Sequence, residues 1–189
     1  MLLILLVNLL LSSSFIFLIF AAPYRMKRLM AFLNPYEDPH GTGYQIIQSF
    51  VSFANGKLFG VGLGNSSQKL FFLPEAHYDF IVAVFAVETG ILGCSLLLLA
   101  FSILISRIFS IGRRCLQNRL DFSGLACYFI GILFSTQVLI NVGVSTGALP
   151  TKGLTLPLIS YGGNSMVVSL FMLGIVLRSL REMEINDSN

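Results

Sequence analysis

Four long apolar runs alternate with polar stretches along this chain, over residues 2–22, 80–106, 124–146 and 157–177. Each approaches or exceeds the roughly 20 residues a helix needs to cross the hydrocarbon core of a bilayer. The pattern predicts an all-α integral membrane protein of about four transmembrane helices, forming a single membrane domain over residues 1–189. A long loop, 23–79, separates the first two runs, and a shorter one, 107–123, separates the next two. The polar residues 182–189 read as a disordered tail. The long loop carries its own pattern. Pro35, Pro39, Gly41 and Gly43 punctuate its start, and Tyr44 to Ala54 then places apolar residues at helical spacing. That spacing predicts a short amphipathic helix at the interface, ended by Asn55 and Gly56. Gly60, Gly62 and Gly64 predict a flexible turn that bends close to the membrane surface. A phosphate-binding loop is excluded there, because no strand precedes it and no Lys-Ser/Thr pair follows.

Composition strengthens the membrane reading. Of the 189 residues, 55% are hydrophobic and 11% charged, whereas soluble domains carry about 25% charged residues. The net charge of +3 comes from basic clusters too small for a nucleic-acid surface. Cys94, Cys115 and Cys127 lack metal-type spacing and suggest neither a disulfide framework nor a zinc site. The first run starts at Met1 without a basic n-region and is longer than a signal-peptide core. Phe20-Ala-Ala22 resembles a cleavage site, but a membrane helix whose upstream neighbours are missing is the expectation. Arg107, Arg113, Arg114 and Arg119, with Arg178 and Arg181, place the second connection and the C-terminus in the cytoplasm. Residues 23–79 and about 147–156 then face outward. Arg25, Lys27 and Arg28 oppose this, but they lie in a long loop, where the rule weakens.

The candidate chemistry gathers on the outward side. Glu75, His77 and Asp79 place three titratable groups within five residues of a long apolar run. Asp79 has two open readings, which are compatible. It could cap the helix that follows, or serve as a general base whose pKa is raised by desolvation. Glu88 lies about 13 Å further along that helix, at hydrocarbon depth, where a carboxylate is costly and is either functional or paired with another helix. Lys152, between Pro150 and Gly153, could attract a pyrophosphate as a point charge or simply be solvated. Gln137 and Asn141 share a helix face with Thr136 beside it, an arrangement that usually bonds neighbouring helices. Ser160, Gly162 and Gly163 lie at the mouth of the last run. They lack nucleophile-elbow spacing, so the glycines serve close packing or backbone approach to a ligand. His40 and His77 have no metal-site spacing.

Residues 34–45 (NPYEDPHGTGYQ), 60–69 (GVGLGNSSQK) and 73–80 (LPEAHYDF) resemble the large extracytoplasmic loop of the SEDS family (shape, elongation, division and sporulation). Asn141 to Ser165 is similar to that family's C-terminal signature. Pro150 to Gly153 and the Gln68-Lys69 pair resemble its division-type members more than its elongation-type ones. The resemblance implies a peptidoglycan glycosyltransferase that polymerises lipid II into glycan strands during septal wall synthesis. It implies a place in the bacterial inner membrane at the division septum. The implied partners are a class B penicillin-binding transpeptidase and other divisome membrane proteins, and no nucleic acid. It puts the catalytic aspartate on Asp79 and a functional lysine on Lys152, and makes Glu75, His77, Glu88, Ser160, Gly162 and Gly163 substrate-binding candidates. No protein-held metal is implied. A divalent cation, Mg or Mn, is the one candidate cofactor, as a neutraliser of the departing pyrophosphate. Two alternatives stand beside this: a lipid II flippase, and a non-catalytic scaffold for the transpeptidase. Tyr78 stands where threonine is usual, and Val87 where many members carry another glutamate. Family members have about ten spans, so the expectation is the C-terminal part of such a bundle, a truncated or partial copy.

Overall fold

The computed structural model of the chain describes residues 23–41, 43–62, 64, 80–151 and 153–187. The expected first span, 2–22, lies outside them. The described chain is helical: α1 is Pro23–Leu33, α2 Tyr44–Gly56, α3 Ile81–Gln117, α4 Asp121–Ser145 and α5 Gly163–Asp187. Among the described residues, three helices (α3, α4 and α5) are long and apolar enough to cross a membrane. The chain falls into two compact units, residues 1–47 and 48–189.

In the first unit, α1 makes helix of what was expected to be loop. Pro23 takes the first helical position, where a missing N–H costs no hydrogen bond, and the Asn34 amide closes the other end on the Met30 carbonyl at 2.9 Å. A turn on Asp38 follows, its carbonyl accepting from Gly41 and Gly43 at 3.3 and 3.1 Å. It leads into α2, at the place the helical spacing predicts.

In the second unit, α3, α4 and α5 pack as antiparallel neighbours around three linked clusters. At one end Phe80, Ala83, Val84 and Val144 meet Phe53 and Leu149. Val82, Ala86, Phe101, Val138 and Leu156 fill the middle. Ile108, Cys127, Ile130, Phe134 and Val176 close the other end. The outward faces carry Leu96, Leu99, Phe129, Leu139 and Phe171, all at least 60% exposed. Such a surface is stable against lipid, where no water penalises exposed apolar area. Arg107, Arg113, Arg114, Arg119, Arg178 and Arg181 are exposed towards one end. The expected orientation puts that end in the cytoplasm, and the opposite end is called the outer end on that expectation.

Three expected boundaries are corrected. The link expected over 107–123 shrinks to residues 118–120, because α3 continues to Gln117. Close approach holds this extension in place: a Cβ at Gly112 would lie 3.1 Å from the Cβ of Cys127 and 3.2 Å from the Gly124 carbonyl. The tail expected to be disordered is helical as far as Asp187. Ser123 Oγ donates to Glu182 Oε2 at 2.8 Å, and Met183 is buried, so the last turns have partners. The fourth run starts as a helix at Gly163 rather than at 157. Residues 157–160 form a turn in which Leu158 has φ 64°.

Candidate functional site

The outer ends of α3 and α4 meet around Phe80. Phe80 is 1% exposed and occupies the N-cap position of α3, with no side-chain cap hydrogen bond. Its carbonyl accepts from the Ala83 and Val84 amides at 3.0 and 3.1 Å. The N-cap position of α3 thus falls on Phe80, and Asp79, the expected cap, lies outside the described residues. Around it, Ser49 Oγ donates to the Ser145 carbonyl at 2.5 Å, fixing α2 to the end of α4. Gly147, at φ 70°, turns the chain beneath the Phe50 ring.

Nine residues into α3 the helix breaks. Gly90 has φ 70° and ψ −171°, a conformation nearly exclusive to glycine. A break inside an apolar span strands backbone groups that water cannot reach, at several kcal/mol each. Here a short segment of the preceding loop replaces the missing helical partners. The Val61 and Gly62 amides donate to the Val87 and Glu88 carbonyls at 2.9 and 3.1 Å. The Ile91 and Leu92 amides donate to the Lys57 and Leu58 carbonyls at 3.0 and 3.2 Å. The fit is backbone against backbone: a Cβ at Gly56 would overlap the Ala86 carbonyl, one at Gly60 the Glu88 carbonyl, and one at Gly90 the Leu58 carbonyl and the Gly60 amide. Leu58, Phe59 and Val61 point their side chains outward, which suits apolar surroundings. The glycine series is therefore an ordered plug; the flexible turn expected there is corrected. Glu88 is the acidic residue buried by this arrangement, at 7% exposed.

The second outer loop, between α4 and α5, is also bonded internally. Buried Asn141 donates Nδ2 to the Leu154 carbonyl at 2.9 Å. It anchors a loop, where a neighbouring helix was the expected partner. Thr136 bonds back to the Ile132 carbonyl of its own helix, and Gln137 keeps Oε1 buried without a hydrogen-bond partner among the described residues. The Leu156 amide donates to Ser160 Oγ at 2.8 Å, and Thr155 and Ser165 share a hydroxyl hydrogen bond of 2.7 Å. This brace sets the start of α5, whose first intrahelical bond runs from Met166 to the Gly162 carbonyl. A Cβ at Gly163 would meet nothing within 4 Å. Close packing is thus not what calls for a glycine there, and the open first turn presents amides without intrahelical acceptors.

Of the residues singled out from the sequence, Glu88, Ser160, Gly162 and Gly163 are placed. Glu88 sits at the helix break, Ser160 in the brace, and the two glycines at the open start of α5. Asp79, Glu75, His77 and Lys152 lie outside the described residues. The break at Gly90 and its partner segment were missed. A glycine inside an apolar run, with a Gly-x-Gly upstream, is the sequence signal for them, and it is weak, since Gly93 in the same run makes no break.

A family model described as cell cycle protein, covering FtsW, RodA and SpoVE, matches residues 1–185. The relatives include the probable peptidoglycan glycosyltransferase FtsW of Idiomarina loihiensis, 53% identical over 163 residues, covering 86% of this chain and 40% of the relative. The protein of the same name from Coxiella burnetii is 50% identical over 175 residues, covering 93% and 47%. That of Escherichia coli O6:H1 is 52% identical over 166 residues, covering 88% and 40%. The chain therefore spans less than half the length of these relatives. Among solved structures, a chain of a peptidoglycan synthase complex that coordinates polymerization and crosslinking superposes with a TM-score of 0.64. It is 31% identical, over 95% of this chain and 49% of that one.

Proposed function

The chain belongs to the FtsW/RodA/SpoVE family of multi-pass membrane proteins, and from that premise we propose that it carries the outer catalytic face of a peptidoglycan glycosyltransferase. Half-identity to relatives bearing that name, over most of this chain, is the observation that carries the proposal. In this reading the Asp79 carboxylate accepts the proton of the 4-hydroxyl on the acceptor sugar. The freed oxygen forms a bond to the anomeric carbon of the donor lipid II, and the bond from that carbon to the pyrophosphate oxygen breaks. Undecaprenyl pyrophosphate leaves with the electron pair. Lys152 is assigned in this reading as the cation for that developing charge, and the open first turn of α5 offers amide dipoles of the right sign.

Several features support this reading. Phe80, which follows position 79 in the chain, is buried in a packed cluster, an anchor of the kind that a base held at fixed geometry requires. The outer ends of α3 and α4 flank that cluster, and the exposed apolar flanks of the helices suit a polyprenyl tail. Among the described residues no group of three or more His, Cys, Asp or Glu side chains converges. A Mg or Mn ion enters this proposal as company of the substrate pyrophosphate. A class B penicillin-binding transpeptidase, other divisome membrane proteins and a septal inner-membrane location complete it.

The test supplies lipid II to the chain in lipid nanodiscs together with a class B transpeptidase and compares wild type with Asp79→Ala. Glycan polymer from wild type alone, with equal membrane insertion of both, is the expected result. Equal polymer from both would remove Asp79 as the base. Transbilayer movement of lipid II without polymer would favour the flippase, and transpeptidase binding with neither would favour the scaffold.

A further inference from the structure

The break at Gly90 divides α3 into a half-helix, residues 81–89, and a longer shaft, residues 91–117. We propose that residues 57–62 form a backbone clamp that positions this half-helix for catalysis, with Gly90 as its hinge. The proposal rests on the glycosyltransferase reading and deepens it by assigning positioning residues.

The half-helix is short and carries Phe80 at its head, directly after position 79 in the chain, and Glu88 at its tail. Whatever sets its direction sets the approach of position 79 to substrate. Its tail is held by the four amide–carbonyl bonds between 57–62 and 87–92. The same carbonyls have a second set of partners within reach of a simple rearrangement. In an unbroken helix the Ile91 and Leu92 amides would bond the Val87 and Glu88 carbonyls. The Val87 and Glu88 carbonyls and the Ile91 and Leu92 amides therefore have partners in two discrete arrangements, clamped and continuous, which is what a hinge requires. The clamp grows directly out of α2, whose Ser49 and Phe53 rest on the outer end of α4 and on the Phe80 cluster. Head and tail of the half-helix are thus referenced to one segment of chain. Three glycines at the contact, Gly56, Gly60 and Gly90, leave no room for a side chain, so the clamp acts through backbone geometry alone.

Gly62→Pro tests this from the loop side and leaves α3 untouched. The chain is placed in nanodiscs, and residue-resolved hydrogen exchange is read beside polymer formation from lipid II. In wild type, the Val61 and Gly62 amides should exchange about a hundredfold more slowly than that of exposed Gly64. Gly62→Pro should release the Val61 amide and lower the rate at saturating lipid II by about a hundredfold, the scale of an ångström of misplacement, with KM unchanged. Val61→Ala keeps the amide and should match wild type in both readings. Wild-type exchange at Val61 and Gly62 as fast as at Gly64 would overturn the clamp. A released Val61 amide with an unchanged turnover rate would overturn the positioning role. A wild-type chain that protects both amides yet makes no polymer would instead contradict the glycosyltransferase reading and leave the clamp standing.

Discussion

Gly90→Ala should convert the broken helix into a continuous one. The φ of 70° and ψ of −171° at this position cost any residue with a Cβ about 1–3 kcal/mol. In an unbroken helix alanine is favoured over glycine by about 1 kcal/mol. Both terms favour the continuous form, by about 2–4 kcal/mol together, or roughly 30- to 1,000-fold in population at 1.4 kcal/mol per tenfold. The new methyl also overlaps the Leu58 carbonyl and the Gly60 amide, so the clamp cannot be retained by small adjustment. Opposing this, four clamp bonds give way to two helical ones, a loss of about 1–3 kcal/mol at 0.5–1.5 kcal/mol each. That loss is reduced where the freed loop amides find water. Residue-resolved hydrogen exchange gives a distinctive signature. Val61 and Gly62 become fast, while Ile91 and Leu92 stay slow, because their amides now bond Val87 and Glu88. If all four amides keep their wild-type protection in Gly90→Ala, the account of the break is wrong.

Two further substitutions separate scaffold from site. Ser160→Ala should lower stability by about 1–3 kcal/mol, since a buried amide loses its acceptor, and leave the KM for lipid II unchanged; thermal unfolding with matched kinetics checks both. Gly163→Ala should change stability by less than about 0.5 kcal/mol, as expected of an open surface position, yet raise the KM for lipid II, because the open first turn of α5 is where the pyrophosphate is placed. An unchanged KM there would remove α5 from the substrate site.

How far the chain could be read in advance depended on which physical signal each part carries. Sustained apolar runs announce membrane helices, and α3 and α4 begin within three residues of their expected starts. The same signal reports the bilayer rather than the helix, so it missed the amphipathic extension from Arg107 to Gln117 and the final turns to Asp187. At 157–162 the apolar composition reads as helix, but Pro157 and the left-handed Leu158 make a turn whose bonds come from Ser160. Spacing of 3.6 was enough for α2, because its polar and apolar faces differ. Nothing local marked Gly90 as a break, since glycine is common in membrane helices; only the complementary backbone of residues 57–62, distant in sequence, makes it stable. Ser160 was picked out for substrate and instead braces a loop. For Asp79, Glu75, His77 and Lys152 the assignment stands on sequence and family alone.

Separating binding from turnover at one carboxyl group tests the central claim most directly. Asp79→Asn keeps the shape of the side chain and removes its capacity to take a proton. The chain carrying it should bind lipid II with the Kd of wild type and, supplied with a class B transpeptidase, form no glycan. Glycan at the wild-type rate from that variant would contradict the assignment of position 79 as the base.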